Sequence, residues 1–243
     1  MSKRFFAQAL AAVLFVATAA CADEASVKSA FQAKFPKANV ERVKKLPELD
    51  LYQIVVARGE EPIIIYTDEN FRFMMQGSLV ETKGMRDIND DTVKELTAID
   101  FNALPLDRAI KKVKGNGSRK IVVFSDPDCP FCKRIEQEFE KMTDITIYVL
   151  LYPIEQLHAK APERSRAIWC SPNRLKAWED YMLRGTAPTA KGDCPNPVAD
   201  IVALAKSKGI NGTPTLVFAD GTRIPGALTA AQLEAQFSSM AGK

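Results

Sequence analysis

The most restrictive feature of this 243-residue chain lies near its middle: the apolar run Ile121 to Phe124, then Cys129-Pro130-Phe131-Cys132, then Ile135, Phe139 and Met142 at helical spacing. A continuous apolar run reads as a strand buried on both faces, and apolar residues three and four apart read as one face of a helix packed behind it. With Ile145 to Leu151 as the next strand, these segments make a β-α-β unit that carries two cysteines at the strand-to-helix turn. Unpaired N–H groups and the helix dipole at such a turn stabilise a thiolate, the species that attacks a disulfide. Cys129, at the helix head, is therefore the predicted nucleophile, and Cys132, one turn further in, is the more shielded thiol that resolves a mixed disulfide. Lys133 and Arg134 favour the anion, whereas Asp126 and Asp128 oppose it.

The other chemistry open to a CxxC pair is half of a zinc or iron-sulfur site. A tetrahedral set would need Cys170 and Cys194, or one of them with His158, and 23 residues separate those two cysteines where a second short spacing would be expected. Strand-CPxC-helix is a more specific context, so the sequence favours redox use and no metal or other cofactor. Cys170 and Cys194 bracket a helical segment, and their simplest role in an oxidising compartment is a permanent structural bridge, worth roughly 3 kcal/mol by loop closure. His158, the lone histidine, follows a strand and Pro153 with no cysteine near it in sequence, and is expected at the surface.

The compartment follows from the N-terminus. Lys3 and Arg4 precede an apolar run from Phe5 to Ala17 and the small residues Thr18 to Ala22, the order of a secretory signal, with Ala20-Cys21-Ala22 as an A-x-A site and Asp23 as the first mature residue. The run is shorter than the roughly 20 residues needed to cross a bilayer. Lipid attachment at Cys21 is the alternative to cleavage. Removing Lys3 and Arg4 lowers the formal charge from +3 to near +1, which excludes a strongly basic nucleic-acid binder.

Between the signal and the β-α-β unit the patterning is different. Val27, Phe31 and Phe35 mark a short helix closed by Pro36, and strand-like runs follow at Leu51 to Ala57, Pro62 to Tyr66 and Phe71 to Met75, with Asn39 to Val43 as a further candidate. One helix and a few antiparallel strands make a thin core that gains from pairing with a second copy. Asp90 to Leu96 reads as a polar linker helix. After the β-α-β unit, Ser171-Pro172 and Asn196-Pro197 each signal a helix start, Asp220-Gly221 a hairpin between Thr215 to Phe218 and Thr222 to Ile224, and Thr229 with Gln232 a capping box for a last helix. The expected organisation is signal peptide 1–22, N-terminal α+β domain 23–84, helical linker 85–105 and an α/β domain 106–243 with a helical insertion.

The order Ser125-Asp126-Pro127-Asp128-Cys129-Pro130-Phe131-Cys132-Lys133, Ala167-Ile168-Trp169-Cys170, Cys194 and Gly212-Thr213-Pro214 resembles the DsbC/DsbG family of periplasmic thiol:disulfide interchange proteins. The resemblance spans nearly the whole mature chain. It implies a cystatin-like N-terminal dimerisation domain, a helical linker and a C-terminal thioredoxin-like domain, assembled as a V-shaped homodimer around an apolar cleft. It implies Cys129 as attacking and Cys132 as resolving cysteine, Cys170 with Cys194 as the structural disulfide, and Pro214 as a cis-proline that leaves a free backbone edge at Thr213 for substrate. Misfolded or mis-oxidised exported proteins become the substrates and the membrane reductase DsbD the electron donor. The implied activity is protein disulfide isomerase or reductase, with a DsbG-like reductase of sulfenylated cysteines or a chaperone-type binding protein as alternatives. Two departures bear on redox poise: Pro130-Phe131 replaces the Gly-Tyr common in DsbC, and Val123 stands where thioredoxin proper has a buried acid.

Overall fold

The computed structural model describes residues 23–58 and 62–241. The expected signal sequence, with its cleavage and lipidation alternatives, lies outside them. Chain contacts divide the described residues into two compact units, one made of 23–58 with 63–77 and the other of 78–241 with residue 62. Both combine helices with sheet.

In the first unit, helix α1 (Glu24–Lys34) begins at Asp23, whose carboxylate accepts from the Ser26 N–H at 2.7 Å. Its Val27 and Phe31 pack on an antiparallel sheet of β1 (Val40–Leu46), β2 (Leu51–Val56), β3 (Ile63–Thr67) and β4 (Met74–Gln76), in that spatial order. The strand expected from Phe71 starts later. The Asp68 carboxylate takes the N–H groups of Arg72 (2.8 Å) and Phe73 (3.0 Å), and Phe71 adopts φ +50°, so residues 68–73 turn before β4 begins.

The second unit opens with the two-residue strands β5 (Val80–Glu81) and β6 (Arg86–Asp87) and the helix α2 (Ile88–Thr97), capped by Asp87. Its main sheet contains β7 (Ile110–Lys114), β8 (Arg119–Ser125), β9 (Ile145–Leu151), β10 (Thr215–Phe218) and β11 (Arg223–Pro225), in the order β11-β10-β8-β9-β7. Only β8 and β9 run parallel, the signature of the crossover through α3 (Pro130–Glu140). The continuous apolar run of β8 has a direct explanation. Ile121 and Val123 join the core that contains Ile135, Phe139, Trp178 and Leu233, while Val122 and Phe124 join the opposite core with Ile201, Ala205 and Val217.

Four further helices cover the sheet: α4 (Ala161–Cys170), α5 (Arg174–Arg184), α6 (Val198–Ser207) and α7 (Ala230–Ala241). Helix α4 and strand β7 were not anticipated. The existence of α4 moves the start of α5. Ser171 closes α4, its N–H on the Ile168 carbonyl at 3.2 Å, and Asn173 caps α5 by accepting from Lys176 N–H at 3.0 Å. The helix start assigned to Ser171-Pro172 is thus two residues early. At α6 the capping residue is Pro197, with Asn196 Oδ1 accepting from Val198 N–H at 3.3 Å. The Thr229 and Gln232 capping box forms, each side chain accepting from the other's backbone N–H, at 3.3 and 2.9 Å. Gly221, at φ +84°, completes the β10-β11 turn in a conformation that disfavours side chains, with the Ile99 carbonyl close by. Cys170 and Cys194 are bonded across a separation of 24 residues. Loop closure of that length contributes about 3.5 kcal/mol.

Candidate active site

Pro130 is the first residue of α3, where its missing N–H costs nothing, and this fixes Cys129 as the N-cap. The Cys129 sulfur therefore lies at the helix head, where free N–H groups and the positive end of the helix dipole favour an anion. Across from it, Thr213-Pro214 forms a cis peptide bond, and Cys129 Sγ lies 3.3 Å from the Thr213 carbonyl oxygen. The two cysteines, Thr213 and Pro214 thus converge from the β8-α3 turn and the start of β10. Phe131 stands out from the surface, half exposed, with the Arg134 guanidinium 5.9 Å from its ring centroid. Cys170 and Cys194 take no part in this cluster, and because they are bonded to each other they are not free to complete a metal site with the CxxC pair.

The two sulfurs differ sharply. Cys129 keeps 5% of its surface and Cys132 none. The Cys129 thiol is lowered to about 5, first by its hydrogen bond with Cys132, against the opposing effect of burial, with the N–H groups of Cys132 and Phe131 and a contact with Thr213 assisting. Burial, together with the neighbouring Cys129 sulfur, pushes Cys132 well above the ordinary thiol value. One sulfur is an anion at neutral pH and the other holds its proton, which is the division needed for attack followed by resolution.

The acids flanking the pair are each met by a partner. Asp128 receives the Arg164 guanidinium from α4 and the Tyr181 hydroxyl from α5 at 2.7 Å. Asp126 is fully buried. Its backbone N–H lies 3.4 Å from Cys132 Sγ, and its carboxylate accepts from Asp128 N–H (2.8 Å) and Ile154 N–H (2.7 Å) and faces His158 Nδ1 at 3.0 Å. His158 is consequently not a free surface residue. The partner that draws it in is 32 positions away, too far for sequence spacing to reveal. Of the two nearby cations, Lys133 sits over the Tyr181 ring, 4.8 Å from its centroid, and Arg134 over Phe131.

A buried acid is also present, though not on β8. Glu136, one helical turn beyond Cys132, is fully enclosed and accepts from Trp178 Nε1 at 3.0 Å. Burial raises it to about 7, with the Trp178 hydrogen bond and the Lys112 ammonium pulling the other way. Lys112 is itself enclosed and pairs with Glu140 (2.5 Å) and Glu179 (2.8 Å).

Residues 106–241 match the thioredoxin-like domain family and residues 18–90 the disulfide bond isomerase protein N-terminal domain family. A probable thiol:disulfide interchange protein DsbC of Bordetella parapertussis is 36% identical over 211 residues, covering 87% of this chain and 73% of its own. The thiol:disulfide interchange protein DsbC of Salmonella typhimurium is 27% identical over 229 residues, 93% of this chain and 91% of its own. Among solved structures, a disulfide interchange protein from Neisseria gonorrhoeae superposes with a TM-score of 0.54 at 50% identity, covering 56% of this chain and 97% of that one.

Proposed function

Because this chain belongs to the DsbC family of thiol:disulfide interchange proteins, we propose that it is a periplasmic protein disulfide isomerase that uses Cys129 and Cys132 to rearrange wrong disulfides in exported proteins. The observation that carries this reading is the Cys129 sulfur at the head of α3, lowered to about 5 and 3.3 Å from the Thr213 carbonyl beside the cis peptide bond. The Cys129 thiolate attacks one sulfur of a substrate disulfide, and a substrate thiolate leaves. A second substrate thiol then displaces Cys129, completing isomerisation, or Cys132 displaces the substrate and leaves the Cys129-Cys132 disulfide. The second route reduces the substrate by two electrons, and the membrane reductase DsbD restores the dithiol. Thr213 offers backbone hydrogen bonds to an extended substrate segment, Pro214 holds that loop against the thiol, and Phe131 supplies an apolar contact.

Activity on scrambled ribonuclease in the presence of reduced glutathione is the direct test. Recovery of native ribonuclease well above the glutathione-only rate is expected, and no recovery above it removes the isomerase assignment.

The N-terminal domain, linker helix and thioredoxin-like domain are read as a pairing module, a connector and a catalytic module, with the signal sequence giving the periplasmic address. The pairing edge is β4. Among the described residues it ends its sheet with no strand on its outer side, and Met74 and Met75 on it, with Phe73 just before it, are exposed. An exposed apolar edge of this kind pairs readily with another strand, and the thin core of this unit fits pairing with a second copy. Sedimentation is expected to give a dimer, and Met74→Asp, which sets like charges across a self-paired edge, a monomer. A monomeric parent protein would exclude the homodimer.

A further inference from the structure

The two acids beside the thiol pair are compensated differently. Asp128 is met by the Arg164 guanidinium, which stays charged at every working pH. Asp126, fully buried and in backbone contact with Cys132, is met by His158 alone among the charged side chains described around it, and imidazole is the side chain that changes charge near neutral pH. His158 keeps 23% of its side-chain surface, enough to exchange protons with water. The remaining charges at the site are the two thiols of α3, Tyr181 of α5 bonded to Asp128, and Glu155 and Lys160 in the segment that carries His158. Lys133 and Arg134 lie over aromatic rings.

We infer that His158 is a positioning residue of the thiol-exchange reaction: through the buried Asp126 it sets the charge felt by the Cys129 thiolate, and so couples the ionisation of Cys129 to its own protonation. The inference rests on Cys129 being the attacking thiolate. With imidazolium present the Asp126 charge is neutralised and the thiolate is favoured; with neutral imidazole the carboxylate repels the thiolate and raises its pKa. Linkage makes the effect reciprocal. A thiolate at Cys129 favours protonated His158, and closing the Cys129-Cys132 disulfide removes that preference.

The chain has one histidine, so its imidazole signals in a proton NMR titration belong to His158 alone. Above pH 5.5 the His158 midpoint of the reduced protein is expected about 0.5 to 1 pH unit higher than that of the disulfide form. In parallel, His158→Gln, which keeps an N–H donor for Asp126 but no charge, is expected to raise the Cys129 thiolate titration, followed by absorbance at 240 nm, by a similar amount. Equal His158 midpoints in the two redox states, with Cys129 titrating near 5, overturn the coupling and leave the thiolate reading intact. A Cys129 titration near the ordinary thiol value in the parent protein overturns both. If the variant fails to fold, the parent titrations still decide.

Discussion

Cys129→Ser is expected to lower disulfide exchange by at least ~10³-fold, because a hydroxyl neither ionises near neutral pH nor forms the mixed disulfide through which the reaction passes. Circular dichroism should change little, since the substitution is nearly isosteric at an N-cap where serine is a favoured residue. Cys132→Ala has a different signature. The attacking sulfur remains but the escape through Cys132 is gone, so substrate with no thiol of its own in reach stays attached until an outside thiol releases it. Non-reducing electrophoresis should show covalent adducts for Cys132→Ala and none for Cys129→Ser. Adducts on both, or on Cys129→Ser alone, would reverse the assigned roles.

The second large effect is in pH dependence. With Cys129 lowered to about 5, the rate of its alkylation by iodoacetamide is expected to be flat from pH 8 to about pH 6 and to fall tenfold per pH unit below pH 5. An ordinary thiol at pH 6 would be ionised to only ~10⁻³, and the weaker nucleophilicity of a low-pKa thiolate trims the resulting advantage to roughly tenfold. The stability of the reduced protein follows with a definite sign. A folded-state pKa below the unfolded value of about 9 gives stability that is complete above pH 9 and is lost as pH falls through 5. Cys132, held above 9, stays protonated across this window and does not offset it. Denaturation of the reduced protein at pH 4, 6 and 8 should therefore show rising stability relative to a Cys129→Ser control, and a constant difference would contradict the shift.

What could be read from the residues, and what could not, divides along physical lines. Strands β8 and β9 and helix α3 were legible because their apolar residues follow strand or helix periods without interruption, and the CxxC pair is compact in sequence, so its place at one helix head came with them. Strand β7 was illegible because its pattern is inverted: Lys112 faces inward to Glu140 and Glu179 while Val113 faces water. Helix α4 was missed because Glu163, Arg164 and Arg166 crowd a ten-residue segment and dilute its apolar face. The surroundings of the thiols depend on long-range pairs, His158 with Asp126 across 32 positions and Trp178 with Glu136 across 42, that no local pattern encodes. Val123 on β8 carries no acid, and the buried acids near the thiols are Asp126, just after β8, and Glu136 on α3, at a position that helical spacing from Cys132 marks as inward-facing.

The complete enclosure of Cys132 gives the dithiol a way to repair itself. A peroxide molecule arriving from solvent is expected to meet Cys129 first, because Cys132 has no exposed surface, and to convert its sulfur to sulfenic acid. The sheltered neighbour, still a thiol, is then expected to expel water and close the disulfide before the damaged sulfur climbs to irreversible oxidation states. Chemical insult at this centre thus converges on the same product as the enzyme's own reductive turnover.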